Sequence, residues 1–216
     1  MTQSQPRVEW FFDVVSPFAY LQLEQLPLWL PPEQLVLRPV VLGALLGHWG
    51  TRGPAEIPAK RVQTYRSAQW RAQLLGIAFR MPPAHPFNPI RLLRLAVALG
   101  SELDAVREIL RFVWREGRDP ASETDWQWLT RERLACPEAE QLIARDEVKA
   151  ALRENTDQAI ARGVFGVPTL VMDSELFWGE DAGAMARRTF EQGPQWLRQA
   201  EWQRIATLPV GVQRAA

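Results

Sequence analysis

The chain has 216 residues, with Lys plus Arg and Asp plus Glu at 25 each and no basic run, so neither nucleic acid nor an anionic membrane surface is indicated as a partner. One cysteine, Cys136, excludes an internal disulfide, dithiol redox chemistry within one chain and a metal site built on several thiolates; His48 and His85, the only histidines, form no metal-ligand spacing, so no metal is expected. No apolar run approaches the ~20 residues that span a bilayer, and residues 1–7 lack an apolar signal core, so the expectation is a soluble cytoplasmic protein acting on a small ligand.

Residues 8–15 are short, aromatic and β-branched and read as a buried strand, and residues 21–30 then carry helical spacing. A second strand is expected at 35–41, where Arg38 and Pro39 mark an edge or a bulge. The pattern turns helical over 43–163, with helices near 59–75, 89–99, 104–116, 125–134 and 146–162 separated by Gly and Pro punctuation. Strands return at 169–172 and 175–178 around a two-residue turn at Asp173-Ser174; a helix follows from Asp181 and another over 194–208. The order is β-α-β, a helical block, then β-β-α. This predicts an α/β protein with a thioredoxin-like sheet formed by residues 1–42 and 164–216, and an all-helical insertion over 43–163. No linker separates the two, so the insertion is expected to pack against the sheet.

Two short constellations carry the chemistry. Ser16-Pro17-Phe18-Ala19 stands at the first strand-to-helix junction, where a thioredoxin-like redox protein would carry Cys-x-x-Cys. Ser is a favoured N-cap and Pro suits the first helical position, so a plain cap explains the pair. The same helix end would also stabilise an anion, and a Ser hydroxyl there would hold down the pKa of a thiolate brought by a ligand. The second constellation, Arg162-Gly163-Val164-Phe165-Gly166-Val167-Pro168-Thr169, separates the last long helix of the insertion from the returning strand. A structural turn accounts for its glycines. Pro168 opens a strand and is a candidate for a cis bond, which would leave the Val167 N–H and C=O free to pair with an extended peptide ligand. Cys136 lies in a charged helical stretch and reads as structural, while most of the ten Trp read as core or subunit-interface residues.

Phe12-Asp13-Val14-Val15-Ser16-Pro17-Phe18-Ala19-Tyr20, Pro58-Ala59-Lys60, residues 70–77, Phe87-Asn88, residues 162–169 and Phe177-Trp178-Gly179-Glu180-Asp181 follow one another in an order that resembles the 2-hydroxychromene-2-carboxylate isomerase family. Its relatives are the kappa-class glutathione transferases and, more distantly, DsbA-like proteins. The resemblance covers residues 8–190 and implies glutathione as cofactor, a small aromatic substrate and a homodimer. It implies that Ser16 hydrogen-bonds the glutathione sulfur and that Val167, with Pro168, meets the cysteinyl unit. Trp178, Gly179, Glu180 and Asp181 would hold the γ-glutamyl end, although Asp181 also suits a helix cap and Trp178 a core position. Lys60 would bind glutathione or substrate; Thr51 and Asn88 would face the substrate, Asn88 with a cap as its alternative. Relatives often have Gly-Asn where this chain has Gly50-Thr51, and Trp-Gly-Asn-Asp where it has Trp178-Gly179-Glu180-Asp181. The implied function is a glutathione-dependent isomerase; the alternatives are a kappa-like transferase and a non-catalytic thioredoxin-like binding protein.

Overall fold

In the computed structural model, which describes residues 7–212, β1 (Val8–Phe12) is the central strand of a four-stranded sheet. The expectations for residues 1–6 and 213–216 lie outside the described residues. Val8, Trp10 and Phe12 alternate onto one face and Phe11 onto the other, so β1 feeds two cores at once. β2 (Leu35–Pro39) pairs with it in parallel, while β3 (Thr169–Met172) pairs antiparallel on its other side and carries β4 (Glu175–Trp178) at the far edge. β2 is an edge strand, where the missing N–H of Pro39 is tolerated.

α1 (Pro17–Gln25) starts four residues before the helical spacing is evident, because Ser16 caps it and Pro17 occupies its first turn. It ends early too: a 3₁₀ turn, Leu26–Leu28, takes over where Pro27 interrupts the helix. β1 likewise stops short of residue 15, since residues 13–16 turn into α1. Between β2 and β3 run α2 (Leu42–His48), α3 (Pro58–Leu75), α4 (Ile90–Ala98), α5 (Leu103–Trp114), α6 (Glu123–Gln127), α7 (Ala139–Ala144) and α8 (Asp146–Ala161). α2 and α7 escape the sequence pattern because each is only about two turns long, and Gly43 and Gly47 dilute the first. The helix expected over 125–134 is α6 continued by a π-helical stretch, Trp128–Arg133. After the sheet, α9 (Gly183–Gln192) begins two residues later than expected, and the last helical segment divides into a 3₁₀ turn, Pro194–Arg198, and α10 (Ala200–Ala206). Cys136 is buried between the π-helical stretch and α7, not within a helix.

The helical block and the sheet share one core. Trp10 stacks on Phe12 at 4.6 Å between ring centroids, and both join α1 through Leu21 and Leu23, α4 through Leu92 and Leu93, and α5 through Val106 and Ile109. Each such side chain contributes roughly 1.5–3 kcal/mol on burial. On the opposite face Phe11 meets Leu45 of α2 and Ala159 of α8. Glu24 of α1 grips Arg111 of α5 through two bonds of 2.6 and 2.9 Å, and the Tyr20 hydroxyl donates to the Ala78 carbonyl at 2.7 Å.

Trp114 joins this core to the α1 entry turn, since its indole N–H donates to the Val14 carbonyl at 2.9 Å and the whole residue is buried. Trp114→Phe keeps the apolar ring but leaves that carbonyl without its partner, so urea unfolding should show a loss of about 1–3 kcal/mol. A loss within about 0.3 kcal/mol of zero would contradict this role.

Candidate functional site

The antiparallel register sets Phe11 opposite Thr169, so the chain leaving β1 and the chain entering β3 meet at one end of the sheet. That end holds Ser16 and Val167. The turn over residues 13–16 is pinned from every side. Asp13, fully buried, accepts from the Val15 N–H at 3.0 Å and from the Leu42 N–H at 2.8 Å, which ties the turn to the start of α2. The Ser16 N–H donates to the Asp13 carbonyl at 3.1 Å. Val14 and Val15 offer their carbonyls to Trp114 and to His85 Nε2, the latter at 2.8 Å. A carbonyl only accepts, so His85 carries its proton on Nε2, and its Nδ1 accepts from Tyr65 of α3, whose hydroxyl is 2.8 Å from both that nitrogen and the His85 carbonyl. Burial lowers the His85 pKa, ahead of an opposing contribution from its Val15 bond, which favours the neutral ring.

What the turn leaves unpaired is as informative. Ser16 Oγ accepts from the Ala19 N–H at 3.3 Å, yet its own O–H donates to nothing among the described residues. Pro17 has no N–H, and the Phe18 N–H has no partner among the described residues. Two donors therefore stand together at the positive end of α1. In the chain entering β3 at this same end of the sheet, the Val167–Pro168 peptide is cis, and among the described residues neither the N–H nor the C=O of Val167 is hydrogen-bonded. This site suits a thiol or thiolate carried on a short peptide.

The turn after β4 closes the same end. The Gly179 N–H donates to the Pro168 carbonyl at 2.8 Å, and the Gly179 carbonyl accepts from Gln22 of α1 at 2.9 Å. Gly179 has φ +95°, and a Cβ there would collide with Asp181 Oδ1, so the carboxylate of Asp181 folds back over a position that only glycine fills. The Trp178 ring lies against Gly166 and meets Phe165 edge-on at 5.0 Å; both rings are about half exposed. Asp181 is exposed and does not cap α9, whose N-cap is Ala182. The Glu180 carboxylate turns inward instead, bound by Arg71 of α3 and by Gln25 of α1.

Lys60 lies exposed in the first turn of α3, five residues before Tyr65, and its ammonium has no partner among the described residues. Thr51 is exposed, with its N–H held by the Leu46 carbonyl at 2.9 Å. Asn88, one residue before the Pro89 N-cap of α4, uses its side-chain oxygen to accept from the Ile90 N–H at 3.0 Å. No described contact joins these three to Ser16. Tyr65, His85, Trp114 and Gln22 lie around the site outside any quoted motif, and Asp13 and Arg71 fall within quoted segments that gave them no role. The one available signal was Asp13, a charged residue inside an apolar, aromatic run. Among the described residues no group of three or more His, Cys, Asp or Glu is placed to hold a metal ion, and no helix is long and apolar enough to cross a membrane.

A family model for the DSBA-like thioredoxin domain matches residues 7–190. The chain belongs to the DsbA-like thioredoxin domain family. Among its relatives are the 2-hydroxychromene-2-carboxylate isomerase of Pseudomonas putida, 30% identical over 81% of this chain and 89% of that protein, and glutathione S-transferase kappa 2 of Caenorhabditis elegans, 28% identical over 74% of this chain and 78% of that protein. A solved 2-hydroxychromene-2-carboxylate isomerase structure matches with a TM-score of 0.72 and 25% identity, covering 90% of this chain and 98% of its own.

Burial gives Asp13 a pH signature. Desolvation pushes its carboxyl from 3.8 up to about 7, against the backbone N–H donors that favour the charged form. Between those values the folded protein keeps a proton that the unfolded chain has lost, so this group's contribution is largest at low pH and declines as pH rises through about 7. At roughly 1.4 kcal/mol per unit, the contribution is on the order of 4 kcal/mol. Urea unfolding at about pH 5 and about pH 8 should show wild type losing roughly 2 kcal/mol more than Asp13→Asn across that interval. Equal losses would contradict it.

Proposed function

We propose that the protein is a glutathione-dependent isomerase of the 2-hydroxychromene-2-carboxylate isomerase type. The observation that carries the reading is the pair of donors, Ser16 O–H and Phe18 N–H, unused among the described residues, at the end of the sheet where the unpartnered backbone of Val167 also lies. When bound, glutathione supplies a thiolate that adds reversibly to a conjugated double bond of a small aromatic compound and leaves after bond rotation, so it is returned unconsumed. In this reading Ser16 and Phe18 donate to the sulfur, and the α1 terminus adds about 0.3–1 kcal/mol of stabilisation, or up to roughly 2 when partly buried. Val167 pairs its N–H and C=O with the cysteinyl unit, with the Pro168 ring behind it. The Trp178-Gly179 turn and Asp181 hold the γ-glutamyl end. Lys60, Thr51 and Asn88 line the substrate side, and the exposed Trp178 and Phe165 rings offer an aromatic edge.

Thiolate stabilisation is a small part of the rate. Lowering a thiol pKa from about 8.5 to about 6.5 raises the thiolate fraction at pH 7 from roughly 3% to roughly 75%. Nucleophilicity falls by about eightfold over the same shift, so the net gain is only about threefold. Holding the substrate against the sulfur contributes most, since effective molarities reach ~10⁵ M or more. A kappa-like transferase is the second reading, favoured by the 28% identity to a protein of that name. The family relationship is also the ground for proposing a cytoplasmic homodimer built from a sheet unit, 1–42 with 164–216, and a helical unit, 43–163.

Three measurements test the reading. With 2-hydroxychromene-2-carboxylate as substrate, glutathione should remain unconsumed over many turnovers; consumption in proportion to product overturns the isomerase in favour of the transferase. Millimolar glutathione should raise the melting temperature, since ligand at 100 times its Kd adds about 2.7 kcal/mol. No rise leaves the non-catalytic binding protein. In the third measurement, thiolate absorbance is followed against pH in protein saturated with glutathione. Ser16→Ala should raise the pKa of the bound thiol and lower turnover more than it weakens binding, beyond a cap loss of about 0.5–2 kcal/mol. Superimposable titration curves would remove Ser16 from the chemistry.

A further inference from the structure

Glu180 is buried in the turn after β4, between the exposed Trp178 and Asp181, and the structure gives it partners of its own. Its carboxylate, with 3% of the side chain exposed, is bound by Arg71 Nε and Nη2, each at 2.8 Å, and by Gln25 Nε2 at 2.8 Å. Gln22, which fixes the Gly179 carbonyl, is itself fixed by the Trp10 indole N–H at 2.6 Å. The backbone of the turn is therefore rigid before any ligand arrives.

Two groups beside it remain accessible. Glu180 occupies one edge of the Arg71 fork; Nη1 has no partner among the described residues, and 37% of the side chain remains exposed. Asp181, the next residue along, is exposed, and its carboxylate has no hydrogen-bond partner among the described residues. Asp181 also raises the Arg71 pKa, behind the larger effect of Glu180. A guanidinium edge and an exposed carboxylate thus flank Glu180, one on the residue that binds it and the other on the next residue of the chain. That pairing is complementary to an α-amino acid head, whose carboxylate and ammonium are borne by one carbon.

We propose that Arg71 is a ligand-binding residue which, with Asp181, takes the α-amino acid head of the γ-glutamyl unit: Arg71 Nη1 binds the carboxylate and Asp181 the ammonium. Glu180 is then a positioning residue that touches no ligand and fixes the plane of the guanidinium. The assignment rests on the glutathione reading. Turned inward, the Glu180 carboxylate is neutralised by Arg71 and is also bound by Gln25.

The test compares glutathione with an analogue in which a 4-aminobutyryl group replaces the γ-glutamyl unit, so that only the α-carboxylate is lost. Calorimetric titration of the wild type should give a Kd for glutathione at least about tenfold below that for the analogue. The double variant Arg71→Met/Glu180→Gln, which removes the guanidinium without stranding a buried charge, should bind the two ligands alike. A merely structural Arg71 would weaken both ligands equally, and the retained discrimination would overturn the assignment. Equal binding by the wild type would overturn it without any variant, and so stands even if the double variant fails to fold. A wild type that binds neither ligand is a different result: it removes the glutathione reading itself, and the Arg71 assignment with it.

Discussion

The pinned turn over residues 13–16 is the constraint on which the site depends. It leaves the central strand, enters the first helix and lies against the helical block, so its backbone groups are out of reach of bulk water and each needs a partner. An unsatisfied buried group costs about 1–3 kcal/mol, and the turn satisfies its own from three sources: the Asp13 carboxylate, the Trp114 indole and the His85 ring. With the inward groups accounted for, the outward ones stand apart. Ser16 O–H and Phe18 N–H are unpaired because α1 begins there, and a helix that begins with Ser-Pro has few other orphans to offer.

The two parts of the molecule contribute differently. The sheet provides backbone: the N-terminus of α1, the Val167 peptide groups and the Gly179 turn. The segment between β2 and β3 provides side chains: Trp114 of α5, Tyr65 of α3 and the loop residue His85 behind the turn over 13–16, and Arg71 of α3 against Glu180 in the turn after β4. This division keeps the reacting end rigid. A thiolate held here is favoured by fixed dipoles and hydrogen bonds that require no reorganisation. Since stabilising a thiolate yields little rate by itself, rigidity at this junction is worth more to the chemistry than acidity.

Most of the sheet was legible because strands such as Val8–Phe12 and Thr169–Met172 are short apolar runs bounded by turn residues, and their order left few topologies open. α1 was misplaced because its start is set by a capping serine and a proline, while the apolar spacing becomes regular only afterwards. α2 and α7 are too short for periodicity to register. In the site, Ser16 and Val167 could be read from local chemistry, since each carries its cue in adjacent residues. Arg71 and Glu180 are 109 positions apart, and either alone resembles a solvated charge. Only the packing of α3 against the β4–α9 turn makes a buried pair of them. His85, likewise, read as one of two unremarkable histidines until the fold set it under Val15.

The central claim is that the unpaired groups at the start of α1 and at Val167 form one site for a thiol peptide. A crystal structure of the protein with glutathione tests it most directly. The account requires the sulfur within about 3.5 Å of Ser16 Oγ, with both the N–H and the C=O of Val167 hydrogen-bonded to the cysteinyl backbone. Glutathione seated elsewhere, or at this end with its sulfur turned away from Ser16, would contradict it.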